Sequence, residues 1–258
     1  MAQFSLVGSP EPFLHVSMQR GDKIYCESNA MVMMESPLEL KGRLQGGVMQ
    51  SILRRFANEE SLFQQHIEAV RGDGDCLLST ALDGDMQILD VGSTQYILSD
   101  GAFVAANDSV NVKARLNSSI GGALFGNTGG LLVMETSGQG QVVVSGCGTL
   151  FEIQVEPNKE VVIDNGHVVC WDSRLQYSLS VTTSQSSGLL GNLMNSVMSG
   201  EGMVLRFSGQ GKVVICSRNR QNMLQWLMAK LGGGNSSSSS SLNSQGGSDL
   251  LSQFFGRR

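Results

Sequence analysis

The residues best suited to chemistry are few and lie far apart along the chain. The three histidines are His15, His66 and His167, and only His167 has a possible co-ligand at short spacing, namely Cys170 three positions later. A structural zinc site needs four ligands, so this single pair is far too small a set. We therefore expect no metal site at the histidines.

Two acidic turns supply the remaining candidate ligands. Asp73 and Asp75 flank one glycine, and Asp83 and Asp85 flank a second glycine further along the chain. Facing carboxylates could hold Ca²⁺, which binds oxygen ligands, but Asp-Gly is also a common turn sequence. The turn interpretation is favoured, and a cation site stays open as the alternative.

The motifs of nucleotide binding and hydrolysis are incomplete. Residues 121–128 have glycine spacing similar to a phosphate-binding loop, but Asn127 stands where the lysine would be. The glycine pairs at 138–140 and 209–211 lack the third glycine of a dinucleotide fingerprint. Neither H-E-x-x-H nor G-x-S-x-G occurs in the chain. We expect no catalytic residues and no cofactor, and we predict that the protein is not an enzyme.

Composition and charge exclude two further classes. The chain has 258 residues and a formal net charge of −5, from 18 basic and 23 acidic residues. Nucleic-acid binding depends on several Lys or Arg contacts to phosphate, so a nucleic-acid partner is not expected. No apolar run reaches the roughly 18 residues of a membrane span, and residues 1–5 have neither the basic nor the apolar part of a signal peptide. We expect a soluble, cytoplasmic protein.

The cysteines fit that location. They number five and include no C-x-x-C pair; they are Cys26, Cys76, Cys147, Cys170 and Cys216. An odd number without paired spacing indicates reduced thiols in a cytosolic core.

Two segment types alternate along the chain and must position whatever site exists. The first is a glycine turn followed by two strand-like runs, and it begins at Gly21, Gly101 and Gly166. The second is predicted to be a β-hairpin, centred near Gly84, Gly140 and Gly211. Because a period of two marks strands, the repeat predicts an all-β fold. We expect three homologous antiparallel β-sandwich-like modules about a pseudo-threefold axis.

The predicted boundaries follow from this repeat and from composition. They are 3–98 for module 1 with a helical insertion, 99–163 for module 2, 164–220 for module 3, 221–231 for a C-terminal helix, 232–248 for a flexible Gly/Ser linker and 249–258 for an amphipathic tail. The inserted helix is predicted from the spacing of Val48, Ile52, Leu53 and Phe56. The glycines from Gly232 end the C-terminal helix.

Two of these appendages are candidate contact surfaces. Arg54 and Arg55 are expected on the exposed side of the inserted helix. The tail would place four large apolar residues on one helical face, and these are Leu250, Leu251, Phe254 and Phe255. A tethered apolar face fits a groove on another protein, and self-association is a further prediction. Two terminal arginines are too few for firm membrane attachment, so any peripheral membrane contact is expected to be weak.

Several strings resemble those of a known family. Residues 199–213, followed by Ser217-Arg218-Asn219, resemble the terminal signature of the altered-inheritance-of-mitochondria protein twenty-four family, and Glu60-Ser61-Leu62-Phe63 resembles another of its strings. The resemblance covers roughly residues 3–220. It implies three β modules similar to the tryptophan RNA-binding attenuator protein and no catalytic residues. It also implies a link to membrane organisation, through the mitochondrial members.

The functional prediction is a non-catalytic scaffold or partner-binding protein. The alternative is a small-ligand binder or enzyme with a pocket between modules. A polar cluster at a module junction would favour the alternative.

Overall fold

The computed structural model describes residues 1–42, 65–80, 83–117, 131–181 and 203–231. The predicted helical insertion, the Gly/Ser linker and the tail lie outside these residues. So do all six candidate contact residues, Arg54, Arg55, Leu250, Leu251, Phe254 and Phe255. Their roles therefore stay predictions.

The described residues form strands and, at the C-terminal end, a helix, which confirms the all-β prediction. The first eight strands are β1 (Gln3–Val7), β2 (Phe13–Met18), β3 (Lys23–Cys26), β4 (Met31–Met34), β5 (Leu38–Gly42), β6 (Gln65–Ala69), β7 (Gly74–Leu78) and β8 (Gly84–Val91). The next six are β9 (Tyr96–Ser99), β10 (Phe103–Asn107), β11 (Val110–Asn117), β12 (Leu131–Gly138), β13 (Gly140–Cys147) and β14 (Leu150–Val155). The last five are β15 (Val161–Asp164), β16 (Val168–Asp172), β17 (Gln176–Val181), β18 (Met203–Ser208) and β19 (Gly211–Cys216).

The chain divides into two units, residues 1–220 and 221–258. Helix α1 spans Arg220–Leu231. Its first residue is the last residue of the first unit, and the rest of the helix belongs to the second unit. This is the predicted C-terminal helix, and it carries the exposed apolar side chains Met223, Leu224, Trp226, Leu227 and Met228. Within the described residues no helix is long and apolar enough to cross a membrane.

The strand pairings repeat every six strands. The first, sixth and third strands of each set form one antiparallel group, in the orders β2-β7-β4, β8-β13-β10 and β14-β19-β16. The second, fifth and fourth strands form the other group, in the orders β3-β6-β5, β9-β12-β11 and β15-β18-β17. Strand β1 adds to the outer side of β2. We call the sets β2–β7, β8–β13 and β14–β19 modules 1, 2 and 3. The predicted boundaries at 98/99 and 163/164 cut the same repeat two strands later.

A shared irregularity fixes the alignment of the three modules. Each third strand shifts register by one residue against its sixth strand, and the extra residue is a valine each time: Val32, Val104 and Val169. A bulge leaves one residue of a strand without an opposite partner and is a specific feature of local backbone geometry. Three bulges at one position show that these valines are equivalent residues of the repeat.

This alignment corrects two sequence predictions. The hairpins are wrong, because β12 and β13 lie in different sheets, as do β18 and β19, so Gly140 and Gly211 follow corners between sheets. The module 1 corner was also misplaced, since β7 and β8 do not pair and the true equivalent of Gly140 is Gly74 rather than Gly84. A tight glycine turn suits a hairpin and a crossing between sheets equally well, so the pattern could not separate them.

The glycine turns of the first segment type were partly misaligned for a related reason. Gly101 and Gly166 precede the third strands β10 and β16, whereas Gly21 precedes the second strand β3. The residue of module 1 that corresponds to Gly101 is Asn29, with φ of 70° against 74° for Gly101. Asparagine adopts this left-handed conformation more readily than most residues, so a search for glycine passed over it.

Each module has its own apolar core, but the third strands contribute to two of them. Val104 and Ala105 of β10 pack in the core of module 1, while Phe103 and Ala106 pack in that of module 2. In β16, Val169 and Cys170 likewise enter the core of module 2. A module therefore inserts two residues of its third strand into the module that precedes it.

Candidate functional site

The cysteines and histidines are not grouped into a site, and the contacts described for them are with nearby parts of the fold. All five cysteines are free and all but Cys147 are buried. Burial raises the pKa of Cys26 and of Cys76 to about 12, which keeps both thiols protonated. The Nδ1 atom of His167 is hydrogen-bonded to the Cys216 carbonyl oxygen at 2.7 Å. The Nε2 atom of His15 lies 3.4 Å from Oδ2 of Asp75. Within the described residues, no three His, Cys, Asp or Glu side chains are grouped as metal ligands would be.

The acidic turns are occupied by local contacts. Asp73 accepts the Arg20 backbone N–H at 2.7 Å, and Asp75 faces His15. Asp85 accepts the Met86 N–H at 2.9 Å and the Leu150 N–H at 3.4 Å. Gly74 and Asp75 lie in β7 and Gly84 and Asp85 lie in β8, so neither string forms the predicted tight turn, and these carboxylates bond nearby backbone and side-chain groups.

The corners that lead into β7, β13 and β19 form a repeated polar feature. The residue after each third strand's apolar run is polar, namely Glu35, Asn107 and Asp172, and it packs against the glycine that begins the sixth strand. Glu35 accepts the Asp75 N–H at 3.0 Å, and Asn107 accepts the Gln141 N–H at 2.7 Å. A Cβ on Gly140 or Gly211 would lie about 3 Å or less from atoms of Asn107 or Asp172, so the close approach requires glycine.

The corner of module 3 differs because Asp172 is bound to an arginine. Asp172 is almost fully buried and accepts hydrogen bonds from the Arg174 side chain, with Nη2 to Oδ2 at 2.5 Å and Nε to Oδ1 at 3.0 Å. Beside this pair, Lys212 binds Glu152 at 3.1 Å. The Lys212 ammonium also lies 5.8 Å from the centre of the Tyr96 ring.

Asp172, Arg174 and Lys212 line an open cleft of about 350 Å³ beside the junction of modules 2 and 3. Its lining residues are Thr94, Gln154, Asp172, Arg174, Gln210, Gly211 and Lys212. Burial alone would raise the pKa of Asp172, but the side-chain and backbone hydrogen bonds from Arg174 outweigh it and lower the pKa overall. The hydrogen bond to Glu152 and the nearby Tyr96 raise the pKa of Lys212 against the opposite effect of burial. Both groups are therefore charged at neutral pH.

The cleft can hold a small polar molecule by hydrogen bonds. Its described lining contains no cysteine, histidine or serine, and its carboxylate, Asp172, is bound to Arg174. Its basic side chains are already paired with Asp172 and Glu152. Sequence reasoning passed over this cluster because the lining residues come from three strands and three turns, and no two of them form a known motif.

A second candidate surface comes from how modules join. The second strand of one module pairs with the third strand of the next, as β3 with β10 and β9 with β16. The registers correspond, with Cys26 opposite Ala105 in the first case and Leu98 opposite Cys170 in the second. We call these two pairings the internal junctions.

One third strand and one second strand of the described sheets do not take part in an internal junction. Among the described strands, β4 pairs on one side only, with β7, and β15 pairs on one side only, with β18. Val32 of β4 is 53% exposed, whereas its equivalents Val104 and Val169 are 0% and 3% exposed. Val162 of β15 is 47% exposed, whereas its equivalent Ile97 is 6% exposed. We call these free sides of β4 and β15 the open edges.

Comparison with known proteins gives the family directly. A family model described as "Mitochondrial biogenesis AIM24" matches residues 4–218. The chain belongs to the AIM24 family. This match covers all three modules and ends before α1, and it confirms the resemblance drawn from the strings between residues 60 and 219.

Two bacterial relatives extend this assignment. An uncharacterised protein of Streptococcus pyogenes serotype M6 is 32% identical over 214 residues, which cover 81% of this chain and 82% of the relative. A crystal structure of a Streptococcus pyogenes protein from a structural genomics consortium matches with a TM-score of 0.73 and 28% identity. That match covers 89% of this chain and all of the solved chain, in agreement with the β fold.

Proposed function

We propose that this protein is a non-catalytic scaffold that binds protein partners through the open edges of β4 and β15. The observation that carries the proposal is the contrast at one repeat position, where Val104 and Val169 are buried and Val32 is exposed. An exposed sheet edge presents unpaired N–H and C=O groups and readily accepts another strand.

The composition of the edges supports the same proposal. Soluble proteins protect free edge strands with lysine, proline or a covering loop. Strand β4 has the sequence Met-Val-Met-Met, and β15 has Val-Val-Ile followed by the single charged residue Asp164, so neither strand contains lysine or proline. Edges that consist mainly of apolar side chains are suited to pairing and are costly to leave in water.

Cytoplasmic location, the pseudo-threefold axis and a membrane-organising setting belong to this proposal. The pseudo-threefold axis is supported by the two internal junctions, while the third contact of a closed arrangement is not formed among the described residues of one chain, which leaves the open edges available. The description of the family refers to mitochondrial biogenesis, and a binding scaffold is compatible with a structural role of that kind.

The test is affinity capture with a matched control. The full chain, Val32→Lys, Val162→Lys and Val7→Lys are immobilised and exposed to lysate of the source organism. Val7 is exposed on β1, which lies at the opposite edge of the sheet that contains β4. We expect the wild type and Val7→Lys to retain the same proteins and the two edge variants to lose them. Equal capture by all four would contradict binding at the open edges.

The polar cleft favours a second function, the binding of a small polar ligand. Its volume of about 350 Å³ lies at the lower end of the range for ligand sites. Ligands that bind the folded state raise its melting temperature. A thermal-shift screen of small polar metabolites should therefore find compounds that stabilise the wild type and not Arg174→Ala. A screen in which the same compounds stabilise both proteins would place the ligand elsewhere.

A further inference from the structure

We infer that the partner at the open edges is a second copy of this chain, with β15 of one copy paired to β4 of the next. The inference rests on the proposed function, because it names the occupant of the same edges. It also assigns a strand register, and it predicts self-association as a property of the modules themselves rather than of the tail.

The chain itself shows what each open edge is shaped to accept. Strand β15 is a second strand of the repeat and β4 is a third strand, and the repeat pairs a second strand with the following third strand twice. Among the described strands of each copy, one second strand and one third strand lack the partner that the internal junctions supply. A second copy therefore offers each open edge the strand type that it pairs with at the internal junctions. An unrelated protein would need a strand of matching shape and apolar pattern to pair equally well.

The core contacts agree with the strand types. Val104 and Ala105 insert into the core of module 1, and Val169 and Cys170 insert into that of module 2. Their equivalents in module 1 are Val32 and Met33, which are 53% and 42% exposed. The module that would receive them is of the module 3 type, because β15 of module 3 is a second strand that has no third strand beside it among the described strands.

The internal junctions also determine the register. Leu98 and Ile163 are the third residues of β9 and β15, and Leu98 lies opposite Cys170. The bulge valines make Met33 the equivalent of Cys170. Ile163 is thus placed opposite Met33, and Val162 opposite Met34. Each internal junction also has one backbone hydrogen bond beyond these pairs, from Asp108 N–H to the Lys23 carbonyl and from Ser173 N–H to the Gln95 carbonyl. The equivalent hydrogen bond between two copies would run from Ser36 N–H to the Glu160 carbonyl.

The same chain does not form this contact with itself among its described residues. Strands β4 and β15 are not paired, and the three cores contain no residues shared between modules 1 and 3. A contact between two different edges is head-to-tail, so it yields a ring where the rotation closes and a filament where it does not.

Cysteine cross-linking on the full chain tests the inference. Residues opposite each other on paired strands have Cα atoms about 5.5 Å apart, within disulfide range. Tagged Val162→Cys is mixed with untagged Met34→Cys and oxidised mildly. We expect a disulfide between a tagged and an untagged chain. The control mixture of Val7→Cys with Met34→Cys should give none.

The Met34→Cys/Val162→Cys double variant separates pairing between copies from closure within one. If its disulfide forms only inside single chains at every concentration, the edges meet in one molecule and the inference is overturned. Light scattering over a concentration series adds an independent measurement. We expect a mass above the monomer for the wild type and Val7→Lys, with association at least about tenfold weaker in Val32→Lys. A wild type that stays monomeric and does not cross-link would also overturn the inference.

The two proposals can fail separately. If the wild type stays monomeric but captures another protein that Val32→Lys does not, the proposed function stands and the second copy is excluded. If neither self-association nor edge-dependent capture occurs, both are rejected.

Discussion

The internal junctions and the open edges consist of the same two strand types in different surroundings. At the junctions, the third strands β10 and β16 are buried along their full length, while β4 is buried at none of its four residues. The valine at the bulge is kept in all three modules although it is covered in only two of them. The same local sequence thus serves as core in one place and as surface in another, and its energetic effect depends on whether a neighbouring strand is present.

The largest expected effect comes from a charge at the bulge position. Val104→Asp should destabilise the protein by about 4 kcal/mol or more, because it buries an unpaired carboxylate. Val32→Asp should change stability by less than about 0.5 kcal/mol, as exposed substitutions do. Urea unfolding of both variants under dilute conditions measures the difference. Equal losses would show that Val32 is already covered.

A proline substitution sharpens the comparison at the level of the backbone. Ile97 pairs with Trp171 and directs its N–H towards β16, since Ser173 bonds Gln95 two positions away on the same side. Ile97→Pro should therefore cost about 3 kcal/mol, through a lost hydrogen bond, an unpaired carbonyl and a lost buried side chain.

The equivalent substitution on the open edge is Val162→Pro. Its N–H faces the unpaired side of β15, where proline is tolerated, so the cost should be below about 1 kcal/mol. Thermal unfolding of the two proline variants is the measurement. In protein dilute enough to be monomeric, a loss from Val162→Pro as large as that from Ile97→Pro would contradict the register assigned to β15.

A smaller effect distinguishes the two internal junctions from each other. Asp172 lies opposite Tyr96 in one junction, and the uncharged Asn107 lies opposite Ile24 in the other. Hydrogen bonds from Arg174 lower the pKa of Asp172 against burial. A carboxyl group whose pKa is lower folded than unfolded stabilises the protein above its unfolded pKa, near pH 4. This stabilisation is lost as the pH falls through the folded value.

Asp172→Asn should remove that contribution. Its unfolding free energy should lie below that of the wild type at pH 6, and the difference should shrink between about pH 4 and pH 2. Urea unfolding across this range gives the comparison. A difference that does not change with pH would mean that Asp172 contributes by packing alone.

The smallest effect on stability is expected from a new thiol on the open edge. Cys170 is buried and its pKa is raised by desolvation, so it should react with a maleimide only when the protein opens. Met33→Cys places a thiol at the equivalent position of β4 and should leave the melting temperature within about 2 °C. In dilute protein we expect the added thiol to react within minutes and Cys170 to stay unlabelled. Protection of the added thiol as protein concentration rises would be further support for pairing between copies.

The sequence by itself determined the strand content, the triple repeat, the C-terminal helix and the family. These features depend on local alternation, on recurring text and on helical spacing, which persist wherever the segment is placed. It did not determine which strands pair. Glycine turns at Gly140 and Gly211 are compatible with hairpins, and only the sheets show that the chain crosses between layers there.

Tertiary structure alone decided the remaining points. The equivalence of Asn29 with Gly101 depends on a backbone angle rather than on residue type. The Asp172–Arg174 pair and Lys212 meet at one cleft because strands distant in sequence converge there. Val32 and Val104 have the same place in the repeat, yet burial differs because each depends on the neighbour across the strand edge. The repeat supplies both strand types of a junction, a second strand and a third strand. Only the described sheets show that β15 and β4 are the second and third strands that lack this partner.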